Sequence, residues 1–459
     1  MNMNNQSSRK HDRRVVICGY GAVTPLGLAG SEDSLWLNLI EGRTAIRPFE
    51  FDPCDFNISA RVSSWISQED SDPYSFNMKD YLELIPFPDT NPKLFRADLS
   101  IQLGVAAASL AYEHAGLSKI SNINDITGVS AATGLGGGRS FNQSLDSFRL
   151  KGKNKAMIFT VPNVMPNAVG GTTSIVFGLQ GPSTTITTAC ASGNYAICDA
   201  ADKIKLGHAE VMVVVGAEAM AVPFMIASFD QLGALSHSDS TYASKPFSNL
   251  RDGFVMGEGG GALVLADFSY AEKHGLPIIA ELIGYATNSG ANDIVQPSIE
   301  GATRCMEAAL DMARISNGKI DYVNAHGTST PEGDPKEAEA LWNVFADRNS
   351  INIPKMPLIN SSKSLLGHTL GAAGIIEAVI TLKTLETGII HPMKKLHTPD
   401  YPLDPVCLMP QDAYNKTSIN PYNLALPIVI KKTSGNFQIA MSNSFGFGDH
   451  NSVVIFKKL

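Results

Sequence analysis

With 459 residues, 44% of them hydrophobic and 17% charged, the chain has the material for a large buried core and lacks the composition of a disordered protein. A formal net charge of -8 excludes nucleic-acid binding through a large basic surface, and leaves room only for a small basic patch facing an acidic partner. Six cysteines (Cys18, Cys54, Cys190, Cys198, Cys305, Cys407) form no CxxC pair and no zinc-like Cys/His spacing, so each reads first as a buried, reduced thiol.

Met1 to Arg14 is polar and basic with no apolar signal core behind it, so residues 1–13 read as a tail. RRVVICGYGAV is a strand followed by a helix, and the Asp-, Pro- and Ser-rich stretch from Asp70 to Pro92 reads as a surface excursion. DITGVSAATG is a strand with a long loop after it; STTITTA is a strand, ASGNYAICDAADKIKLGH a helix, and VMVVVGAEA a strand. The apolar run from Val211 to Ala227 is interrupted by Glu218 and Pro223, which predicts core and no membrane span, hence a soluble, cytoplasmic protein. The habit then repeats. PIIAELIGYATNS is a strand, KIDYVNAHGT and PLINSSK are strands, GAAGIIEAVITLKTLETG is a helix, and FQIAMSNSFGFGDH with NSVVIFKKL is a strand pair. Glycine-rich βα turns and two halves of similar layout predict a duplicated α/β unit, residues 14–268 and 269–459, with the boundary near Asp267–Gly275.

Four segments carry candidate chemistry. In STTITTACASGNYAICDAADKI a β-branched strand runs into a small-residue elbow, so Cys190 sits near a helix N-terminus, where the dipole favours a thiolate. That segment alone reads equally well as a buried thiol packing a strand end. In VNAHGTSTPEGDPKEAEAL, His326 falls on a strand-end loop, where catalytic groups are often mounted, although a lone histidine is more often structural. In INSSKSLLGHTLGAAGIIEAVI, Lys363 and His368 flank an apolar turn in which a buried ammonium needs a partner, and Glu377 on the following helix is the candidate. SNSFGFGDHN, with its glycines and two phenylalanines, can offer a backbone N–H and an aromatic gate to a pocket. One cysteine, two histidines and a lysine suit acyl transfer followed by a step that builds negative charge on a thioester oxygen, which neutral imidazoles can stabilise as donors. No GxxxxGK[ST] occurs, and GLGGGRS lacks the placed acidic residue of a dinucleotide-binding turn.

TACASG, AHGTSTPEGD, SSKSLLGHTLGAAG and NSFGFG, in this order and spacing, resemble the β-ketoacyl-acyl-carrier-protein synthases of the thiolase superfamily, most closely the elongating type II (KAS II-like) enzymes. ICGYGAVTPLG, GALS and KPFSNLRDGFVMGEGGGALVL extend the likeness from about Val15 to the end of the chain. The resemblance implies a five-layered αβαβα sandwich of two related halves, as a homodimer or as a heterodimer with a related subunit. It implies Cys190 as the nucleophile, His326 and His368 as the pair supporting malonyl decarboxylation, Lys363 ordering the site with Glu377, and Phe445 as gate and, with the Cys190 N–H, oxyanion hole. The implied reaction is a decarboxylative condensation between acyl and malonyl groups on acyl carrier protein, with no cofactor or metal. Phe159, Thr160 and Met165 fall in a region resembling the family's acyl-pocket wall.

Some stretches depart from that pattern. The closing turn reads GFGD where the family usually has GFGG, which sets Asp449 beside the gate. Only Lys79, Lys93 and Arg96 offer a basic surface before the long helix, and the segment from Pro410 to Phe437 is longer than usual. A specialised polyketide ketosynthase is therefore an alternative to a fatty-acid elongation enzyme. A thiolase would carry a second cysteine in a C-terminal CxGxG turn, absent from SFGFGDH; a chain-length-factor subunit would lack Cys190; and two histidines disfavour a starter-unit enzyme of the Cys-His-Asn kind.

Overall fold

The computed structural model describes residues 13–30, 33–69, 71–72, 75–86, 94–120, 122–152, 157–346, 356–393, 401–408 and 425–459. The expected tail to residue 12, Lys93, and residues 410–424 of the long segment before the final strands lie outside them.

Among the described residues eleven strands make one continuous sheet, ten of them along its main path, built from the apolar runs of the sequence. Five belong to the first half: β1 (Val15–Thr24), β2 (Thr127–Ala132), β3 (Ser183–Ile186), β4 (Val211–Glu218) and β5 (Gly259–Asp267). Five belong to the second: β6 (Ala280–Ser289), β7 (Tyr322–Asn324), β8 (Leu358–Asn360), β9 (Ile439–Gly446) and β10 (His450–Lys458). Across the sheet they run β8-β7-β9-β10-β6-β1-β5-β4-β2-β3, and the short strand Gly27–Ala29 pairs with β1. Each half therefore has the same order, first-fifth-fourth-second-third. Each also has the same directions: the first and fifth strands and the fifth and fourth pair antiparallel, while the fourth and second and the second and third pair parallel. Within the sheet, among the described residues, the strands of the two halves pair where Val16 and Ile17 of β1 face Glu281 and Ala280 of β6.

Strands β1, β2, β4 and β5 are buried along their whole length, as continuous apolar runs covered on both faces must be. Helices α1 (Leu99–His114) and α2 (Ala168–Phe177) cover the outer face of the first half, and α4 (Ile299–Ala313) with α5 (Gly333–Phe345) the outer face of the second. Between the halves lie α3 (Ser192–Lys205) and α6 (Ala373–Thr387), whose side chains pack on the strands of both halves in one apolar cluster. The layers are αβαβα. Helix α6 is buried nearly all round, which explains why its sequence is apolar without a polar stripe.

β5 was not foreseen, because three glycines open it and glycine disfavours strands. Those glycines are what the crossing helices require. A Cβ on Gly260 would stand 2.5 Å from the Leu103 carbonyl of α1, and one on Gly261 would stand 2.9 Å from Ile376 of α6. Among the described residues no helix is long and apolar enough to cross a membrane. The run from Val211 resolves instead into buried β4 and a helix opened by Pro223.

Candidate active site

The first turns of α3 and α6 meet in the middle layer. A Cβ on Gly193 would lie 2.8 Å from the Ile375 nitrogen, and one on Gly374 would lie 2.7 Å from the Asn194 nitrogen. Glycine at both positions lets the helix ends touch, which brings a residue just ahead of α3 near those just ahead of α6. Cys190 is the first of these. β3 ends at Ile186, Ala189 takes a left-handed φ of 49°, and Ala191 caps α3. A non-glycine residue in that region costs on the order of 1–3 kcal/mol, so the elbow is held by its surroundings. The Ser192 hydroxyl accepts from the Thr188 N–H and donates to the Ala189 carbonyl.

The second half supplies the titratable groups. His326 follows β7, and both carboxylate oxygens of buried Glu337 on α5 accept the N–H groups of His326 (2.8 Å) and Gly327 (2.6 Å), which fixes the loop. Lys363 opens a short helix after β8, and His368 follows it, with its N–H donated to the Val255 carbonyl at 2.7 Å. Lys363 is 2% exposed and its ammonium donates to Glu377 of α6 and to Nδ1 of His326, the latter at 3.4 Å. The two imidazoles stand edge to face with ring centres 5.3 Å apart, and the Phe445 ring lies 5.9 Å from that of His326.

Both rings are neutral. Burial and the Lys363 ammonium hold His326 and His368 well below the ordinary histidine range. In His368, Nδ1 accepts the Leu370 N–H at 3.2 Å, so the ring proton is on Nε2, and that buried Nε2 finds no partner among the described residues. Burial pushes the Glu377 carboxyl up to about 7 against the downward pull of Lys363. For Cys190, enclosure outweighs the helix end and Lys363, and the thiol is pushed up to about 12, so the expected thiolate is not the resting form.

A cavity of about 340 Å³ opens over Cys190, lined by His326, His368, Phe445 and Phe447. Gly446 presses the gate strand onto the elbow: a Cβ there would be 3.0 Å from the Cys190 nitrogen. Lys363 and Glu377 stand behind the imidazoles. Phe159, Thr160 and Met165 do not line this cavity; the Thr160 hydroxyl bonds to that of Ser144 at 2.6 Å, and Met165 lies 42% exposed. The apolar wall is formed instead by Leu135, Phe229, Leu232 and Leu370, and the mouth by Thr328, Thr330 and the 295–298 segment. The GLGGG run, set aside above as a dinucleotide-binding turn, wraps a buried carboxylate: Gly134 and Leu135 donate their N–H groups to Glu218 at 2.7 and 3.2 Å, and so does Gly371 at 3.0 Å. Among the described residues no group of three or more His, Cys, Asp or Glu side chains is arranged to hold a metal.

Two family descriptions match in succession, Beta-ketoacyl synthase, N-terminal domain over residues 12–271 and Beta-ketoacyl synthase, C-terminal domain over residues 279–397. The chain belongs to the β-ketoacyl synthase family. The 3-oxoacyl-[acyl-carrier-protein] synthase 2 of Vibrio harveyi is 35% identical over 97% of this chain and 99% of its own. The chloroplastic 3-oxoacyl-[acyl-carrier-protein] synthase I of Arabidopsis thaliana is 34% identical over 97% and 86%. Among solved structures, a β-ketoacyl synthase from Burkholderia phymatum superposes with a TM-score of 0.80 at 28% identity, covering 97% of this chain and 100% of that one. The ishigamide ketosynthase/chain length factor gives 0.81 at 27%, covering 97% and 99%. A ketosynthase solved in complex with its type II polyketide acyl-carrier protein gives 0.78 at 27%, covering 97% and 99%.

Proposed function

We propose that this β-ketoacyl synthase is a 3-oxoacyl-[acyl-carrier-protein] synthase, an acyltransferase that condenses an acyl group held on Cys190 with malonyl-acyl carrier protein. The observation that carries the reading is the pair of neutral imidazoles lining one cavity with Cys190, each with its Nδ1 engaged as an acceptor.

Cys190 begins as a thiol. Its sulfur attacks the acyl thioester, the carbon–sulfur bond to the carrier breaks, and the departing carrier thiolate takes up the proton, so loading is neutral overall. The gate strand lies against the Cys190 nitrogen, which supports an oxyanion site at the backbone N–H groups of Cys190 and Phe445. Malonyl carrier then enters and its carboxylate leaves as carbon dioxide. The electron pair of the broken bond passes to the thioester oxygen as an enolate, and the Nε2–H groups of His326 and His368 stabilise it by donating hydrogen bonds. Return of that pair as a carbon nucleophile to the Cys190 thioester forms the new carbon–carbon bond and releases the cysteine. The product is a 3-oxoacyl chain two carbons longer. Lys363 and Glu377 act behind the imidazoles by setting tautomer and position.

A homodimer is supported by the open edge of β3 and by the apolar side chains beside it, Phe141, Leu150, Ile158, Val161 and Ile175, each more than half exposed. The exposed Lys79 and Arg96 are the candidates for contact with an acidic carrier. We place the division between the halves at 268/269. A specialised polyketide role is the second reading, favoured by the ketosynthase/chain length factor and carrier-bound ketosynthase among the similar structures.

The deciding experiment is intact-protein mass spectrometry with a panel of acyl carrier thioesters, wild type beside Cys190→Ala, followed by malonyl carrier. An acyl adduct that the variant lacks, discharged as a 3-oxoacyl product, is expected. No adduct with any chain length on folded wild type would overturn the reading of this chain as self-sufficient.

A further inference from the structure

The turn between β9 and β10 is three residues long, Phe447 to Asp449, and its last member is neither a glycine nor exposed. Asp449 holds a left-handed φ of 56°, which aspartate tolerates better than most residues, and it is 2% exposed. A buried carboxylate needs donors, and this one has three from a single neighbouring loop. Oδ1 accepts the N–H and the hydroxyl of Ser298, both at 3.1 Å, and Oδ2 accepts the Asn292 N–H at 3.1 Å. The backbones join as well, with the Gly290 N–H donating to the Asp449 carbonyl at 2.8 Å and the Gly448 N–H to the Ile294 carbonyl at 2.7 Å. Gly290 leaves the room: a Cβ there would lie 2.0 Å from Oδ2 of Asp449.

The two segments so joined both line the cavity. One carries Phe445, Gly446 and Phe447, and the other carries Val295, Gln296 and Pro297. Ser298 in turn caps α4 by accepting the Gly301 N–H, so the 290–298 segment is anchored to an outer helix. The outer side of the same loop is tied by Lys336, whose ammonium donates to Gln296 at 2.9 Å.

We propose that Asp449 is a positioning residue that clasps the aromatic gate to the 290–298 wall, and so fixes the width of the cavity mouth and the range of acyl groups admitted. Asp449 touches no reacting atom and acts through Phe445 and Phe447. The consequence for acyl selection rests on the condensing reading above; the mechanical link does not.

The test is hydrogen–deuterium exchange on the full chain, wild type beside Asp449→Gly and Asp449→Asn, with steady-state condensation measured on the same samples. Glycine keeps the left-handed turn and removes the carboxylate. Asparagine keeps the turn and one acceptor, but sets an amide N–H against that of Asn292. Exchange over residues 290–298 is expected to rise about tenfold or more in the glycine variant and less in the asparagine variant, with β1 and β5 unchanged. In the glycine variant kcat should fall about tenfold to a hundredfold, as for an ångström-scale displacement, while KM for malonyl carrier stays within about twofold and the preference among acyl lengths flattens. Unchanged exchange at 290–298 in both variants, or a rise spread evenly over the chain, overturns the clasp. Raised local exchange with unaltered acyl preference overturns the selecting role. Failure of wild type to condense at all would count against the proposed function and leave the exchange result standing.

Discussion

Nζ of Lys363 stands 3.4 Å from Nδ1 of His326, and because an ammonium has only donors, the imidazole nitrogen there is the acceptor. The ring is neutral, so its proton is on Nε2. His368 reaches the same tautomer by another route, with a backbone N–H against its Nδ1. Two donors of the same kind are thus prepared before any substrate arrives.

Removing either donor should therefore strike the second half-reaction alone. His326→Ala and His368→Ala are each expected to slow carbon dioxide release from malonyl carrier by about 10²–10³-fold, the usual loss for one preorganised donor. Acyl transfer to Cys190, followed as a mass adduct, should persist. A variant that loads slowly yet decarboxylates at the wild-type rate would contradict this division.

The Lys363–Glu377 pair predicts a split between stability and activity. Glu377→Leu leaves a buried ammonium without its carboxylate and should cost about 3–5 kcal/mol in denaturant unfolding. The double variant Lys363→Met with Glu377→Leu should regain most of that loss, since an apolar pair of similar volume suits a buried site. It should not regain decarboxylation, because nothing then holds the His326 tautomer. Recovery of both together would show that the ion pair serves packing only.

Cys190 should be a slow nucleophile towards small reagents. With its thiol near 12, the alkylation rate by iodoacetamide should climb about tenfold per pH unit through pH 9 without a plateau near neutrality. Peptide mapping separates this signal from that of exposed Cys54. A plateau below pH 8 would mean that the thiolate is stabilised after all.

His391 offers a pH test away from the chemistry. Burial lowers it to about 4 from an ordinary 6.5, with its ring beside Asn360 and the Pro392 carbonyl. The unfolded chain then binds a proton that the folded one refuses. The stability this group contributes is complete above pH 6.5 and is lost as pH falls towards 4, by up to roughly 1.4 kcal/mol per unit. His391→Gln should unfold in denaturant with a shallower acid dependence over that window, and equal slopes would refute the assignment.

Much of this architecture is legible in the sequence because the strands are apolar runs punctuated by glycine, and because the reactive residues sit in small-residue loops where bulk is missing. Cys190, His326 and His368 stand out for that reason, Lys363 and Glu377 as charges set among apolar neighbours, and the structure gathers all five around one cavity or directly behind it. The cavity wall was harder to read. Leu135, Phe229 and Leu232 look like any core residue, and they line a pocket only because loops distant in sequence fold over Glu218 and α6. Phe159, Thr160 and Met165 were expected there from the resemblance to the family's pocket wall, and they are not among the residues lining the cavity within this subunit. For Asp449 the sequence marks a departure but gives no direction, because its three donors lie about 150 positions upstream.

The repeated sheet order also has a meaning for descent. One copy supplies the cysteine and most of the apolar wall, Leu135, Phe229 and Leu232; the other supplies the imidazoles and the lysine. Most of the apolar wall and the groups proposed to handle carbon dioxide are thus written in separate stretches of the gene, with the aromatic gate and the 290–298 segment on the second. A change in the first-half wall therefore need not disturb the imidazoles and the lysine.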